Sequence, residues 1–271
     1  SGVLFTILLI FLYLLYEVFP LFNPARIEEG PSVELAIPVN SVYASVEEQG
    51  EIFLSVDKEA LATFFSTSSG RVIDSRTLDR DSIGVKAVGW ESSVSPLLVV
   101  AYSDGSASLF RHEYELVYPD GEKQVIPKIS RVYPDQPIEL GAISINKISV
   151  RDNESSLTLG SLSTSGEVMI KTFEKAENFI TGDIELKERS IYLPDALPEV
   201  KDFFIGSEQR WLYLIFRNGR YGILDLNNSD IRDIVTLTSE GTLTEDGQSV
   251  ATATFLLGGL SLLIGIEGEI S

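Results

Sequence analysis

The sequence has no cysteine and only one histidine, His112, among its 271 residues. Without cysteine there can be no disulfide framework and no thiolate metal site, and one histidine excludes a site built from several imidazoles. Gly258-Gly259 lies between two predicted strands and does not open a helix, so it is not a phosphate-binding loop. We therefore expect neither a metal nor a bound cofactor.

Basic residues are scarce: 21 Lys and Arg stand against 40 Asp and Glu, giving a formal net charge of −19. Proteins hold the phosphate backbone of nucleic acids, and bind anionic lipid surfaces, through Lys and Arg. We expect no nucleic-acid partner, and we expect a basic or neutral partner more readily than a free anion.

One long apolar run stands at the start of the chain, in residues 1–22. It carries no charge from Gly2 to Tyr16, where Thr6 is the only strongly polar side chain. A bilayer core about 30 Å thick requires roughly 20 apolar residues in a helix. We predict a transmembrane helix over residues 1–22. The alternatives are a signal-peptide core, for which no small-residue cleavage site is present, and a helix buried in a partner.

The charges after this run indicate an orientation. Eight acidic residues and a single base, Lys58, lie between Glu28 and Glu59. Because positive residues favour the cytoplasmic side, we expect the following domain on the opposite side, in a periplasm or outside the cell. Residues 23–31 contain two prolines and a glycine and are predicted to be a linker.

From residue 32 onward, short β-type runs alternate with turn residues. The recurring unit is an apolar strand, a tight turn containing glycine and a second strand, and in most copies another strand precedes it. The predicted hairpins are 61–74, 97–111, 157–173, 211–226 and 261–271, with turn glycines Gly70, Gly105, Gly166, Gly219 and Gly268. The preceding strands are 83–90, 142–151, 200–206 and 249–258.

Repeats of about 40–50 residues with four strands are typical of propeller blades. The segments LLVV, WLYLIF and SLLIGI are apolar on both faces, as blades packed between neighbours require. Residues 114–140 form an insertion, expected to be a long connection or an irregular hairpin. We predict an all-β β-propeller domain over 32–271, with a flat sandwich as the alternative. Because the fifth hairpin is unfinished, we expect the protein to continue beyond Ser271. Because the apolar run is short, we expect the protein to begin before Ser1.

No catalytic constellation is evident in the sequence. His112 is predicted to be a partly exposed strand residue. Asp225 to Asp230 resembles the start of a calcium loop, but it has no glycine at its sixth position and Thr236 at its twelfth. An Asx-rich turn is the better interpretation. Trp90 and Trp211 are expected to pack between blades. We assign no catalytic, cofactor-binding or metal-binding residue.

The order of these features resembles a known family. The run LYLLYEVFPLFNPA leads into a β-repeat domain that contains RWLYLIFRNGRYGILDL and ends in ATATFLLGGLSLLIGIEGEIS. This is similar to the N-terminal region of large bacterial permeases of the phosphate-type ABC transporter family, in which a WD40-like periplasmic domain follows the first membrane helix. The resemblance implies a bacterial inner-membrane protein whose partners are a periplasmic binding protein, a second permease and an ATPase.

Together with this resemblance, these observations predict a non-catalytic docking or regulatory domain of an ABC importer permease. One alternative is a membrane-anchored propeller scaffold for envelope or outer-membrane protein assembly. A propeller enzyme, such as a lyase or a quinoprotein dehydrogenase, is a weaker alternative because such sites cluster His, Arg or metal-binding carboxylates.

Overall fold

A computed structural model describes most of the chain. The described residues are 2–19, 39–78, 83–92, 95–133, 138–141, 144–177, 184–191, 193, 197–227, 237–244, 248–256 and 261–267. The chain divides into two compact units, residues 1–34 and residues 35–271. The linker predicted over 23–31 lies outside the described residues.

The first unit contains a helix, α1, from Gly2 to Val18. None of its residues is buried. The prediction of a helix is confirmed over these 17 residues. Among the described residues, no helix is long and apolar enough to cross a membrane. Ser1 and residues 20–22, which the prediction included, are not described.

The second unit consists of antiparallel sheets formed in chain order. Sheet 1 contains β1 Ser41–Val46, β2 Ile52–Asp57, β3 Leu61–Ser66 and β4 Val72–Thr77. Sheet 2 contains β5 Val85–Trp90, β6 Leu97–Tyr102, β7 Ser106–Val117 and β8 Gln124–Val132, and β9 Ile138–Glu139 also pairs with β7. Sheet 3 contains β10 Ile145–Asp152, β11 Ser156–Ser163, β12 Val168–Glu177 and β13 Ile184–Ile191. Sheet 4 contains β14 Val200–Ile205, β15 Trp211–Phe216, β16 Arg220–Asp225 and β17 Leu237–Thr242. Sheet 5 contains β18 Val250–Leu256 and β19 Ser261–Ile266.

The sheets resemble the blades of a propeller. Within each sheet the strands pair in chain order, apart from β9, which pairs with β7. One buried apolar cluster joins each sheet to the following one. β6 shows the consequence most clearly, because all six of its residues are buried and both of its faces are covered. Burial of apolar area on both faces of successive sheets is the main stabilising term of such a stack. The expectation of four-stranded, blade-like units is therefore confirmed.

The expectation that both faces of a strand are buried is wrong for SLLIGI, which forms β19. None of its six residues is buried. Its apolar side chains Leu262 and Ile264 pack on the cluster shared with sheet 4. Among the described residues no further sheet covers the other face, and Leu263 is exposed there.

The first strand of each sheet is the innermost one. β1 contacts β5, β5 contacts β10, β10 contacts β14 and β14 contacts β18, whereas β4 at the other edge of its sheet has no buried residue. Gly89 shows how close two of these strands come. A Cβ at this position would lie 2.0 Å from the backbone oxygen of Ile148 on β10, so only glycine fits.

A β-bulge recurs at the same place in all five innermost strands. In each, the second residue is skipped by the pairing register with the next strand. The skipped residues are Val42, Lys86, Asn146, Lys201 and Ala251. A bulge leaves one residue unpaired and turns its side chain away from the regular pleat. The five sheets thus share one internal geometry as well as one strand order.

The turns between the second and third strands of sheets 1 to 4 share a residue with positive φ. Gly105, Gly166 and Gly219 have φ between 79° and 84°, as the predicted tight turns require. In sheet 1 this place is taken by Ala60, with φ 63°. The predicted first hairpin, 61–74, is confirmed as the β3–β4 pair with Gly70 at φ 69°, although the other predicted hairpins of sheets 2 to 4 join second and third strands. Gly268, the predicted fifth turn, lies outside the described residues.

The insertion predicted over 114–140 is largely a hairpin. β7 and β8 remain paired from Leu109 with Val132 out to Val117 with Gln124, and a 3-10 turn at Pro119–Gly121 closes them. Asp120 in this turn has φ 54°. The hairpin alternative is confirmed for these residues; residues 134–137 are not described.

Candidate functional site

A polar and aromatic cluster lies between sheets 1 and 2, around the single histidine. The hydroxyl of Tyr43 on β1 is 3.0 Å from Nε2 of His112 on β7 and 3.1 Å from the carbonyl oxygen of Ser95. Since the carbonyl can only accept, the hydroxyl donates to Ser95 and Nε2–H donates to the hydroxyl. The rings of Trp90 and Tyr114 pack on either side of this pair.

The chemical state of this cluster follows from its burial. His112 is 5% exposed, and burial lowers its pKa to about 4. Burial also raises the pKa values of the Tyr43 and Tyr114 phenols. At neutral pH all three side chains are neutral. The one ring N–H of His112 donates to the Tyr43 hydroxyl on the neighbouring sheet. The prediction of a partly exposed histidine is wrong, because β7 is covered by sheet 1.

A second cluster lies between sheets 2 and 3 and contains charged groups. The carboxylate of Asp152 accepts from the Tyr133 hydroxyl at 2.6 Å, and its other oxygen lies 2.6 Å from Nζ of Lys175. The side chains of Asp152 and Lys175 are 9% and 8% exposed. Arg111 Nη2 approaches the same carboxylate at 3.5 Å. These groups neutralise one another, which is how buried charges persist in folded proteins.

Glu91 connects the two clusters. One oxygen of its carboxylate accepts the backbone N–H of Asp152 at 2.9 Å, and the other accepts the Ser95 hydroxyl at 2.6 Å. Ser95 in turn receives the Tyr43 hydroxyl on its carbonyl. One hydrogen-bond network therefore runs from sheet 1 through sheet 2 to sheet 3. Its ionisable groups serve to fix neighbouring sheets.

A similar link joins sheets 3 and 4. The side-chain oxygen of Gln209, a residue only 5% exposed, accepts from the hydroxyls of Thr158 at 2.7 Å and Ser156 at 3.1 Å. Its amide nitrogen donates to the Ser156 carbonyl oxygen at 3.1 Å. Gln209 has φ 55°, so the turn before β15 adopts a left-handed conformation to place this amide.

The remaining residues considered in the sequence occupy structural positions. Trp90 contacts Tyr43 across sheets, whereas Trp211 is covered by the guanidinium of Arg210, 4.6 Å from its ring centre. Asp225 accepts two hydrogen bonds from Arg210 and one from the N–H of Asn227, which is an Asx turn. Arg210 lowers the pKa of Asp225. Residues 228–236, the rest of the calcium-like motif, and Gly258-Gly259 are not described.

Two exposed surfaces are candidates for contact with partners. One is α1, in which every residue from Gly2 to Val18 is exposed. The other is the inner surface, which we define as the set of bulge residues of the five innermost strands. No sequence pattern marks these bulges, because their residues share neither charge nor size. Across the described residues, no group of three or more His, Cys, Asp or Glu is arranged to hold a metal ion.

Comparison with known proteins finds likeness in structure alone. No protein-family model matches the sequence, and no curated protein matches it. The β-propeller domain of Cps50 (Swd1) from Myceliophteria thermophila superposes with a TM-score of 0.48 at 12% sequence identity. The match covers 84% of this chain and 63% of that domain.

Proposed function

We propose that the chain is a non-catalytic docking domain, a WD40-like propeller held at a bacterial inner membrane by α1. The permease to which it belongs would be an importer of the phosphate-type ABC family, as the sequence resemblance implies. In this proposal the β-sheet unit lies in the periplasm and binds another subunit of the transporter. The observation that carries the proposal is an exposed apolar helix, in which Glu17 is the one charged residue, that precedes an acidic unit of packed sheets.

The exposed apolar side chains of α1 would be stabilised by contact with an apolar medium. Leu8, Phe11 and Leu15 are 54%, 59% and 52% exposed, and they lie on a helix with no buried residue. Covering one such side chain gains about 1.5–3 kcal/mol. Lipid is the favoured medium because the apolar surface extends around the whole helix and is not confined to one stripe.

The polar interior supports docking over catalysis. His112 is neutral and hydrogen-bonded to Tyr43, and Asp152 is held by Lys175 and Tyr133. Each of these groups joins neighbouring sheets and so builds a rigid frame. Rigid frames with variable surfaces commonly serve as binding platforms.

The absence of cysteine permits a direct test of the proposed location. We would introduce Ser165→Cys, at an exposed turn between β11 and β12, into the full protein in its native membrane. A membrane-impermeant maleimide added to cells with a permeable outer membrane should label this cysteine. Labelling only after rupture of the inner membrane would contradict the proposal. Ser108→Cys, at a position 3% exposed, is the matched control and should react only after unfolding.

A further inference from the structure

The five bulge residues differ from the rest of the chain in charge. They are Val42, Lys86, Asn146, Lys201 and Ala251, and they include two bases and no acid. The whole chain has almost twice as many acids as bases. The two lysines lie on β5 and β14, on either side of β10, which carries Asn146. Three neighbouring sheets therefore present a cation, an amide and a cation at one level of the inner surface.

These two lysines are available to a ligand. Lys86 is exposed and Lys201 is half-buried, and the described part of the structure gives neither ammonium group a hydrogen bond or an ion pair. Neighbouring bases are already engaged. Lys147 pairs with Asp202 and lies 4.7 Å from the centre of the Phe204 ring, and Arg151 donates to the carbonyl oxygen of Ile205 at 3.0 Å.

The pairing of Lys147 also determines the charge around the site. Asp202 follows Lys201 directly in sequence, but its carboxylate is neutralised by Lys147. Glu199 on the other side pairs with Arg217 at 2.9 Å. The acids nearest to Lys201 in sequence are thus paired with other bases. The ammonium group of Lys201 can therefore pair with an acid of a partner.

We propose that Lys86, Asn146 and Lys201 form a docking site for an acidic peptide segment of a partner protein. Lysine ammonium groups bind carboxylates as point charges, and the Asn146 amide can donate to a carboxylate between them. The flanking Val42 and Ala251 add apolar contacts at the two ends. This inference deepens the proposed docking function by assigning its surface and the chemistry of its partner segment. It reverses the expectation, drawn from net charge alone, of a basic or neutral partner.

A fluorescent peptide of alternating Glu and Gly residues, with four glutamates, is the probe. Its binding to the full protein would be followed by fluorescence anisotropy between 50 and 300 mM NaCl. We expect saturable binding that weakens with salt, because the contacts are charged. The matched peptide with Gln in place of Glu should not bind.

Variants locate the site. Lys86→Gln with Lys201→Gln should weaken binding about tenfold at 50 mM NaCl, since two exposed ion pairs are lost. Lys187→Gln, at an exposed position on the outermost strand β13, removes one charge elsewhere and should leave binding unchanged. Circular dichroism checks that each variant is folded.

Three results would overturn the inference: no binding of the Glu peptide, equal binding of the Gln peptide, or an equal loss in the Lys187 variant. None of these bears on the location test with Ser165→Cys. Failure of the acidic-segment site is therefore distinguishable from failure of the proposed docking function.

Discussion

The hydroxyl of Tyr43 and Nε2 of His112 lie 3.0 Å apart across the boundary between sheets 1 and 2, although 69 positions separate them in sequence. Both groups are buried, and Nε2 of His112 has the Tyr43 hydroxyl as its hydrogen-bond partner, while that hydroxyl also donates to the Ser95 carbonyl oxygen. This pair marks one end of the network that continues through Glu91 to sheet 3. It also provides the most direct way to measure how strongly neighbouring sheets depend on each other.

Tyr43→Phe should lower the free energy of unfolding by about 1–3 kcal/mol, because Nε2 of His112 is then buried without a partner. Urea titration followed by tryptophan fluorescence measures this change. Tyr118→Phe is the matched control. Tyr118 is 61% exposed at the tip of the β7–β8 hairpin, so removal of its hydroxyl should leave the free energy of unfolding unchanged. An equal effect of the two substitutions would show that the Tyr43 hydroxyl does not join the sheets.

His112 should make stability depend on pH. Its pKa is lowered from 6.5 to about 4 in the folded protein, so between these values the unfolded chain binds the proton and the folded chain does not. The stabilisation is complete above about pH 6.5 and is lost as pH falls towards 4, by about 3 kcal/mol in total. Because the protein has one histidine, a single set of imidazole NMR signals reports the folded pKa. A midpoint near 6.5 would contradict the structure.

The buried pair of Asp152 and Lys175 should be more costly to break than an exposed one. Lys175→Met leaves a buried carboxylate with fewer charged partners, and we expect a loss of about 3 kcal/mol in unfolding free energy. Lys171→Met breaks the pair with Glu188, a residue 42% exposed, and should cost less than about 1 kcal/mol. Denaturant titration of both variants tests the difference. Equal losses would mean that burial of the Asp152 pair has no energetic consequence.

Gly89→Ala should strongly destabilise the protein. Its Cβ would meet the backbone of β10, which cannot turn aside as a side chain can, so sheets 2 and 3 must move apart. We expect a loss of at least about 3 kcal/mol, measured by the same titration. Gly84→Ala is the control, because its Cβ would meet only the Ser103 side chain at 3.8 Å. A similar stability of both variants would contradict the close packing of β5 on β10.

Local patterns made the strands and several turns predictable from the sequence. Gly105, Gly166 and Gly219 stand in Asp-Gly, Ser-Gly and Asn-Gly pairs, which favour positive φ. Ala60 holds the equivalent position in sheet 1 without such a signal, so the β2–β3 hairpin was not predicted, whereas the β3–β4 hairpin with its turn glycine Gly70 was.

Contacts between sheets were not predictable in the same way. The burial of His112 depends on the approach of β1, which no local pattern reveals. The bulges at Lys86 and Lys201 arise from pairing register, and register depends on the neighbouring strand rather than on the bulged residue. For this reason the inner surface was missed, although its lysines are visible in the sequence.

We propose that this chain is the docking domain of a phosphate-type importer. The most direct test is binding of the purified full protein to the phosphate-type substrate-binding protein of the same bacterium, measured by surface plasmon resonance. An amino-acid-type binding protein from that bacterium serves as the control ligand. We expect saturable binding to the phosphate-type protein alone. No binding, or equal binding to both proteins, would contradict it.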